Sequence, residues 1–436
     1  MKRSAYNKLL KWKNSNKRKP LVLQGARQVG KTYLVNMFGE AEYENYIYLN
    51  FEQDTNLHSL FDSTLNPEII INNISLYIGK KVVPTNTLLF FDEIQVAPTV
   101  LTSLKYFQEQ APQYHIIAAG SLLGISVGKG TSFPVGKVNF LTLYPMSFNE
   151  YLLALGEDLL VDMLEKIKNP VPFADAIHSK LLDRLKMYLY LGGMPEVIQD
   201  YIDNKDIASV RLIQNDIIEA YKRDFSKYTE KGQAIKTSEF WNSIPRQLAK
   251  ENKKFKYGDV RKNARASMFE QTVEWLRKAG LIHIVNNIST PKLPLSSYAD
   301  YSKFKIYLHD VGLLAAELNI SSELIVSPED IFTEFNGAFI ENFIAQELLY
   351  YGYEKLFYWT SRSDAEVDFI LERANQIFPI EVKSGLSRNK KSLRSYADKY
   401  KPTTIFRVSP RNLTQSGDFI NIPLYATNLL ANLFVK

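Results

Sequence analysis

Short apolar segments alternate with helical patterns through the first third of the chain. Helical spacing of apolar residues separates most of these segments, and a basic amphipathic helix over 2–16 precedes them. The expected strands lie at 21–23, 46–51, 88–91, 115–119 and 140–143. Strands that alternate with helices favour a parallel sheet covered on both faces. The pattern therefore predicts an α/β core over residues 1–147.

Beyond this core the apolar spacing becomes helical. No strand of convincing length occurs within 148–234, which indicates a helical lid or linker. A helical pattern from Thr333 then leads into strands, which predicts a second α/β domain over 320–436. The strands expected in that domain are 367–371, 377–383 and 404–408.

The region 235–310 has the element order of a winged helix-turn-helix. Its expected elements are helices at 241–248, 257–264 and 267–279, then a strand at 281–285. Gly280 supplies the turn after the third helix. That helix has the place of a DNA-recognition helix, yet its outward Glu270 and Glu274 oppose the approach of phosphates. DNA contact and packing against protein both stay open.

Composition limits the classes of protein to which the chain can belong. The 436 residues suffice for two to four domains, and 45% hydrophobic with 23% charged residues is the balance of a folded chain. No apolar run reaches the length of a membrane span, and eight Lys or Arg among the first nineteen residues oppose a signal peptide. We therefore expect a cytoplasmic protein without membrane contact.

The cysteine and histidine contents limit the metal chemistry. No Cys is present, which excludes disulfides and thiolate zinc sites, and the five His are scattered. Metal binding must therefore use carboxylates. The net charge of +6 comes largely from local runs at 17–19 and 250–256, and such runs are usually solvated faces. Charge alone does not establish a nucleic-acid partner.

A complete phosphate-binding loop follows the first predicted strand. The pattern G-x-x-x-x-G-K-[ST] is matched by Gly25, Ala26, Arg27, Gln28, Val29, Gly30, Lys31 and Thr32. The two glycines let backbone N–H groups turn toward the phosphates, and the next helix presents its positive end. Lys31 would contact the β- and γ-phosphates, and Thr32 would ligate magnesium. The segment predicts an ATP site.

Two carboxylates complete that site. Asp92 and Glu93 follow four apolar residues of a predicted buried strand, at the end where open α/β sheets bind ligands. Asp92 would hold the magnesium shell, and Glu93 would polarise the attacking water. A strand that ends in Asp-Glu also occurs where the pair only caps a helix. The nearby phosphate loop favours the catalytic interpretation.

Residues 20–145 resemble the AAA-type P-loop ATPases of a large prokaryotic group. The likeness rests on three segments in order, Gln24 to Thr32, Leu89 to Gln95 and Ala118 to Leu123. It implies that Ser121 senses the γ-phosphate, although a serine there also suits a helix N-cap.

The same resemblance suggests three less secure positions. Members commonly carry Gly-Arg before the last core strand, but this chain has Lys137, which lacks the guanidinium fork of an arginine finger. Arg223 is the other candidate finger. Gly192 to Pro195 resembles the lid segment near the adenine, which would make Pro195 a nucleotide contact. From its residues alone, that segment is a turn between helices.

The C-terminal region carries a second acidic pattern. Glu341 lies on a predicted helix, Asp368 in one strand, and Glu381 and Lys383 in the next, where their i, i+2 spacing puts them on one face. This order resembles the PD-(D/E)XK nuclease fold. Cleavage of a phosphodiester requires carboxylates for magnesium and a lysine beside the hydroxide. Exposed strands carry such residues routinely, so cleavage and loss of cleavage both stay open.

The predicted fold class is therefore α/β: a P-loop core, a helical lid, a winged helix and a restriction-endonuclease-like domain. ATP and Mg²⁺ are the expected cofactors. One functional class is an ATP-regulated enzyme that processes DNA. A second is a nucleotide-dependent switch whose inactive nuclease-like domain binds a protein or nucleic-acid partner. A third, a translocating motor, is opposed by Lys137 at the expected finger position.

Overall fold

The computed structural model describes residues 1–120, 136–228, 231–250, 254–323, 337–361, 365–385 and 391–432. These residues form two compact units. The first contains Met1–Tyr144 together with a later segment, Lys278–Leu281. The second contains Pro145–Arg277 and Ile282–Lys436.

The first unit contains a five-stranded sheet in which every pairing is parallel. Its strands are β1 (Leu21–Gln24), β2 (Asn45–Asn50), β3 (Thr87–Asp92), β4 (His115–Ala119) and β5 (Asn139–Thr142). They lie in the order β2-β3-β4-β1-β5. The five strands expected from the sequence are confirmed to within one residue at each end. β1 lies between β4 and β5, so the loop that follows it leaves the carboxyl edge of the sheet between two neighbouring strands.

Helices cover both faces of this sheet. They are α1 (Ser4–Lys13), α2 (Lys31–Glu42), α3 (Ser59–Asp62), α4 (Pro67–Ile78) and α5 (Pro98–Gln110). Gly39 of α2 lies directly against the ring of Tyr46. The next residue of β2, Ile47, points to the other face and packs in the core with α4 and α5. The alternation of side chains along β2 thus separates the two layers.

β3 is buried along its whole length, which explains its continuous apolar run. Leu89 and Phe91 enter the core formed with α4 and α5. Burial of such a side chain stabilises the fold by about 1.5–3 kcal/mol. The strand therefore holds Asp92, at its carboxyl end, in a fixed position.

The second unit begins with the predicted helical region, and the regular elements that the structure describes within 148–234 are helices. The helices are α6 (Phe148–Ala154), α7 (Asp158–Glu165), α8 (Asp175–Leu191), α9 (Pro195–Asn204) and α10 (Ile207–Tyr228). α6 starts at a capping box in which Ser147 and Glu150 bond to each other's backbone N–H groups.

The region 235–310 differs from its expected elements. The helix at 241–248 is the end of the longer α11 (Lys231–Leu248), and the helix at 267–279 is α12 (Glu270–Lys278). The helix expected at 257–264 is wrong, because only a 3₁₀ turn, Tyr257–Asp259, forms there. Asn263 takes a left-handed φ of 64°, which interrupts a right-handed helix.

The strand expected at 281–285 belongs to an eight-stranded sheet. Its strands are β6 (Ile282–Ile288), β7 (Ala299–Leu308), β8 (Leu356–Thr360), β9 (Glu366–Arg373), β10 (Gln376–Val382), β11 (Ile405–Ser409), β12 (Thr414–Ser416) and β13 (Phe419–Pro423). Their order is β12-β13-β11-β10-β9-β8-β6-β7. β6 pairs antiparallel with β7 and parallel with β8. The strand expected after the third helix, and β7 beside it, therefore belong to the same sheet as the C-terminal strands.

The remaining helices are α13 (Val311–Glu317), α14 (Gly337–Tyr350), α15 (Lys391–Tyr400) and α16 (Leu429–Asn432). Between α14 and β11 the chain runs helix, three strands, helix, strand, and β9 and β10 are antiparallel while β10 and β11 are parallel. The three strands expected in this region are confirmed as β9, β10 and β11. Among the described residues no helix combines the length and apolar character needed to cross a membrane.

A buried polar group links α8 to α13. Asp310 caps α13 by accepting from the Leu313 N–H, and its other oxygen accepts from the Gly193 N–H at 2.6 Å. Gly192 lies so close that a Cβ would stand 2.2 Å from the same carboxylate. Burial raises the pKa of Asp310 to about 6. The Gly-Gly turn before Pro195 is therefore packed in the interior of the second unit.

Glu347 on α14 is a second buried carboxyl group, and it generates a pH-dependent prediction. Its Oε1 accepts from the Phe148 N–H at 3.0 Å, and burial raises its pKa from 4.5 to about 8. Between these values the unfolded chain loses a proton that the folded chain keeps, so Glu347 lowers stability as pH rises through this range.

We expect Glu347→Gln, which keeps the acceptor, to increase the free energy of unfolding at neutral pH by on the order of 3 kcal/mol. The gain should shrink toward the acid end of the range, where Glu347 is protonated in both states. Urea denaturation of both proteins between about pH 5 and about pH 8 measures this difference. Equal slopes of stability against pH in the two proteins would contradict it.

Candidate functional site

The loop after β1 has the backbone of a phosphate site. Gly25 has a φ of +147°, and a Cβ there would lie 2.2 Å from the carbonyl oxygen of Leu143. Gln28 and Gly30 also take positive φ values, 66° and 91°. Gly30 ends the loop as the residue before α2, whose first N–H groups have no intrahelical acceptor. The loop thus presents backbone donors and the positive end of a helix to one place.

Lys31 folds into this loop. Its Nζ donates to the carbonyl oxygens of Gly25 at 2.9 Å and Ala26 at 2.8 Å. The side chain is 7% exposed. Burial lowers the pKa of Lys31 to about 8, although the charges of Glu93 and Asp92 favour its protonated form. A phosphate group would give this ammonium a stronger partner than two carbonyl oxygens.

Asp92 lies opposite the start of α2. Its Oδ2 accepts from the Thr32 hydroxyl at 2.8 Å and from the Tyr48 hydroxyl at 3.2 Å, while Oδ1 accepts from the Glu93 N–H. Tyr48 comes from β2, where the register sets Asn50 beside Asp92. Burial raises the pKa of Asp92, and these hydrogen bonds act in the opposite direction. Sequence analysis missed Tyr48.

Glu93 follows Asp92 in a strained conformation, with a φ of 54°. Its Oε2 accepts from the Gln95 side-chain amide at 2.5 Å. Burial raises the pKa of Glu93, whereas the bond from Gln95 lowers it. A partly buried carboxyl group with a raised pKa beside a cation is well suited to act as a base.

The donor set fits magnesium. Mg²⁺ prefers hard oxygen ligands from one or two side chains beside the phosphates. The Thr32 hydroxyl and the Asp92 carboxylate supply such oxygens and already lie within hydrogen-bond distance. Together with Lys31, the loop amides and Glu93, they are groups that could hold a magnesium-bound triphosphate.

Arg3 supports the phosphate loop from the side of α1. Its guanidinium donates to the carbonyl oxygen of Val29 at 3.0 Å and to that of Tyr144 at 2.6 Å. The residue is 7% exposed. Sequence analysis treated this basic N-terminal segment as an amphipathic helix and missed the role of Arg3, because its partners are backbone groups with no sequence signal.

A segment from later in the chain also contacts the loop. Within the first unit, Lys278–Leu281 places Gly280 against it. A Cβ at Gly280 would lie 3.3 Å from the Ala26 N and 3.8 Å from the Ala26 Cα. The φ of Gly280 is +74°. The turn expected from Gly280 therefore has a neighbour in the nucleotide site.

Four other expected positions have different outcomes. Ser121 lies outside the described residues, so its sensor role stays a prediction. Lys137 precedes β5, at the edge of the parallel sheet opposite the phosphate loop, and pairs with Glu109 at 2.9 Å. Arg223 is exposed on α10, and Pro195 is the first residue of α9. The roles of Arg223 and Pro195 toward the nucleotide stay predictions.

The expected nuclease residues come together, but with basic partners. Glu341 on α14 accepts through Oε2 from the Tyr307 hydroxyl at 2.7 Å and lies 3.2 Å from the Lys305 Nζ. Asp368 on β9 lies 3.8 Å from the same Nζ, and its Oδ2 accepts from the Val382 N–H. Lys305, on β7, was missed by sequence analysis.

Glu381 and Lys383 lie on the neighbouring strand. The Glu381 carboxylate accepts from Arg407 at 3.0 Å and pairs with the Lys383 Nζ at 3.2 Å. Arg407 is 2% exposed and directly opposite Glu381 in the parallel pairing of β10 and β11. In the described part of the chain, no group of three or more His, Asp or Glu side chains is arranged to hold a metal ion. Glu341 and Asp368 are thus paired with Lys305, and Glu381 with Arg407.

Comparison with protein families supports the assignment of the first unit. Residues 17–152 match the family model described as AAA domain. This part of the chain therefore resembles an AAA-type P-loop domain. Residues 182–324 and 336–426 match two further models, each described as a domain of unknown function (DUF8612 and DUF4143). None of the curated proteins matches the chain.

Solved structures similar to the chain are distant. A Walker-type ATPase of Pyrococcus abyssi has 13% identity and a TM-score of 0.44, covering 73% of this chain and 95% of that chain. The ORC1 protein of Aeropyrum pernix, in complex with DNA, has 12% identity and a TM-score of 0.31, covering 72% and 90%. The RuvB Holliday junction branch migration motor of Thermotoga maritima has 13% and 0.28, covering 67% and 90%. TM-scores this low carry no argument about this chain.

The contacts of Arg3 beside the phosphate loop generate a prediction. We expect Arg3→Met to weaken ATP binding by about tenfold, since loss of charged hydrogen bonds worth about 1.5 kcal/mol frees the loop. Titration calorimetry with magnesium-ATP measures the change. Lys8→Met is the matched control, because Lys8 is exposed on the same helix. Equal affinities for the two variants would show that Arg3 does not support ATP binding.

Proposed function

We propose that the AAA domain binds and hydrolyses ATP with magnesium, and that its nucleotide state controls the C-terminal unit. One observation carries the hydrolytic part. Lys31, Thr32, Asp92 and Glu93 converge at the carboxyl edge of one parallel sheet, with hydrogen bonds between Thr32 and Asp92 and between Lys31 and the loop. This is the set of groups that phosphoryl transfer requires.

Each of these residues has a separate role in the proposal. The loop amides and Lys31 bind the β- and γ-phosphates, and Thr32 and Asp92 would hold Mg²⁺, which supplies charge neutralisation. Glu93 orients and polarises the attacking water, for which its raised pKa is suited. Ser121 as γ-phosphate sensor, Arg223 as arginine finger and Pro195 beside the adenine extend the proposal by resemblance to this ATPase group.

The contact at Gly280 supports a link to the second unit. The segment Lys278–Leu281 connects α12 directly to β6, and its Gly280 backbone lies against Ala26 of the phosphate loop. The contacts between this segment and the phosphate loop would change when the loop closes on the phosphates of a nucleotide. Nucleotide binding therefore biases the position of the chain that enters the eight-stranded sheet.

The C-terminal region is the controlled part in this proposal. Its run of helix, three strands, helix and strand supports a PD-(D/E)XK nuclease-like domain, and the helices α11 and α12 of the region 235–310 would supply the accompanying DNA or protein contact. Two versions remain, an ATP-regulated nuclease and a switch that binds its partner without cleavage. The pairing of Glu341 and Asp368 with Lys305, and of Glu381 with Arg407, favours the switch.

Two substitutions test the ATPase proposal. We expect Lys31→Ala to weaken ATP binding by about a hundredfold, because it removes a charged contact worth about 2.7 kcal/mol. Glu93→Gln should bind ATP normally and lower kcat by roughly 10²- to 10⁴-fold. Calorimetry and phosphate release measure the two effects. Lys137→Ala, at the opposite edge of the sheet, is the control. Wild-type hydrolysis by both site variants would end the proposal.

A pair of glycine substitutions tests the link at Gly280. We expect Gly280→Leu to weaken ATP binding by about tenfold, or about 1.4 kcal/mol, because the new side chain presses on the loop. Gly79→Leu is the matched control, since Gly79 has a similar φ of +71° but no atom within 4 Å of a Cβ. Backbone strain is thus equal in both variants. Calorimetry with magnesium-ATP measures the affinities, and equal losses would contradict a specific contact.

A further inference from the structure

Lys305 is a buried ammonium group in the second half of β7. Its side chain is 0% exposed, and it is the first of four buried residues that end the strand. A charge removed from water is costly unless other charges and hydrogen bonds surround it. The position of Lys305 therefore demands acidic partners.

Three carboxylates from two elements supply them. The Lys305 Nζ lies 2.6 Å from Glu366 Oε1, 3.2 Å from Glu341 Oε2 and 3.8 Å from Asp368 Oδ1. The remaining groups hold these acids in place, since Tyr307 donates to Glu341 and the Val382 N–H donates to Asp368. The carboxylates converge on one point, and the ammonium nitrogen stands there.

The charge of Lys305 is secure. Burial acts to lower its pKa, but Glu341, Tyr307, Glu366 and Asp368 outweigh burial and hold the pKa well above the ordinary lysine value. Hard divalent cations seek the same environment, namely several carboxylate oxygens around one point. In this cluster the Lys305 ammonium already provides that positive charge.

The second acidic position is occupied in the same way. Glu381 belongs to the Glu-x-Lys pair that would share a metal with Asp368, and its Oε2 accepts from the buried Arg407. Asp368 bonds to the N–H of Val382, the residue after Glu381, so the two acids are adjacent along the sheet. Both are neutralised by basic side chains from other strands.

We propose that the Lys305 ammonium replaces the divalent cation of this nuclease-like site, so that the C-terminal region has no metal-dependent phosphodiesterase activity. A hard divalent cation enters the cluster only when Lys305 is removed. The inference rests on the nuclease-like part of the proposed function and deepens it, but it is independent of ATP hydrolysis.

Removal of the ammonium gives the first test. In Lys305→Ala, three carboxylates are left without their cation, so we expect the Tm of the full chain to fall by about 10 °C. Millimolar Mn²⁺ should restore at least half of that loss, while NaCl of equal ionic strength should not. Wild type and Lys303→Ala should show no such rescue, because Lys303 pairs with Asp300 on the exposed part of the same strand. A Lys305→Ala protein whose stability does not respond to Mn²⁺ overturns the proposal.

A second test uses a variant that keeps the fold. Glu366 is 34% exposed at its side chain, and Glu366→Gln keeps an oxygen acceptor and leaves Glu341 and Asp368 as acidic partners of Lys305, so we expect the fold to be kept. Calorimetric titration with Mn²⁺, without nucleotide, should give the same isotherm for wild type and Glu366→Gln. An additional ion bound by wild type and lost in Glu366→Gln overturns the proposal, whatever the behaviour of Lys305→Ala.

Activity on DNA provides the third measurement. Supercoiled plasmid incubated with wild-type protein and Mn²⁺ or Mg²⁺ should stay intact, with and without ATP. Nicking that wild type performs and Asp368→Asn does not would overturn the proposal. The Mn²⁺ titrations contain no nucleotide, so a failure of ATP hydrolysis in parallel assays would count against the ATPase proposal alone.

Discussion

The close approach of Gly25 to the carbonyl oxygen of Leu143 is the constraint on which the nucleotide site depends. A Cβ at this position would lie 2.2 Å from that oxygen, so the loop leaves β1 along a path open only to glycine. The pairing of β1 with β5 fixes the path, since the Leu143 N–H donates to Gln24 at 2.7 Å. The direction of the loop amides, the start of α2 and the position of Lys31 all follow from this contact. The pairing of β1 with β5 thereby determines where the groups of the nucleotide site lie.

Each unit contains a buried lysine, and the two lysines differ in their partners and in the direction of their pKa shifts. Lys31 has only carbonyl oxygens within hydrogen-bond distance among its described bonds, and burial lowers its pKa to about 8. It is poised to gain from an anionic ligand. Lys305 is surrounded by carboxylates that raise its pKa well above the ordinary value. It gains nothing from a further anion and excludes a further cation. Lys31 thus belongs to a site suited to an anion, whereas the charge of Lys305 is already paired with carboxylates of the chain.

The sequence was informative where the chemistry is local. The phosphate loop and the Asp92-Glu93 pair are continuous in the chain and follow buried strands, so both could be predicted. The groups missed are those assembled by distant pairings: Arg3 with loop carbonyls, Lys305 with Glu341 through the β6–β7 hairpin, and Arg407 with Glu381 across β10 and β11. A lysine in the apolar run before Leu308 was the available signal. The prediction of a helix at 257–264 was wrong, since the chain forms only the 3₁₀ turn Tyr257–Asp259 there and Asn263 is left-handed, and helical spacing of apolar residues reports neither feature.

The eight-stranded sheet has a consequence for how the chain can be divided. β6 and β7 precede α13 in the chain, yet β6 forms the parallel neighbour of β8. A fragment that starts after residue 310 would leave one border of β8 without its hydrogen-bonding neighbour and would lose Lys305 from among Glu341, Glu366 and Asp368. Such a border is a template for aggregation, and the stranded acids would repel one another. The C-terminal strands and the β6–β7 hairpin before them are therefore one structural piece, which has to be expressed as a whole.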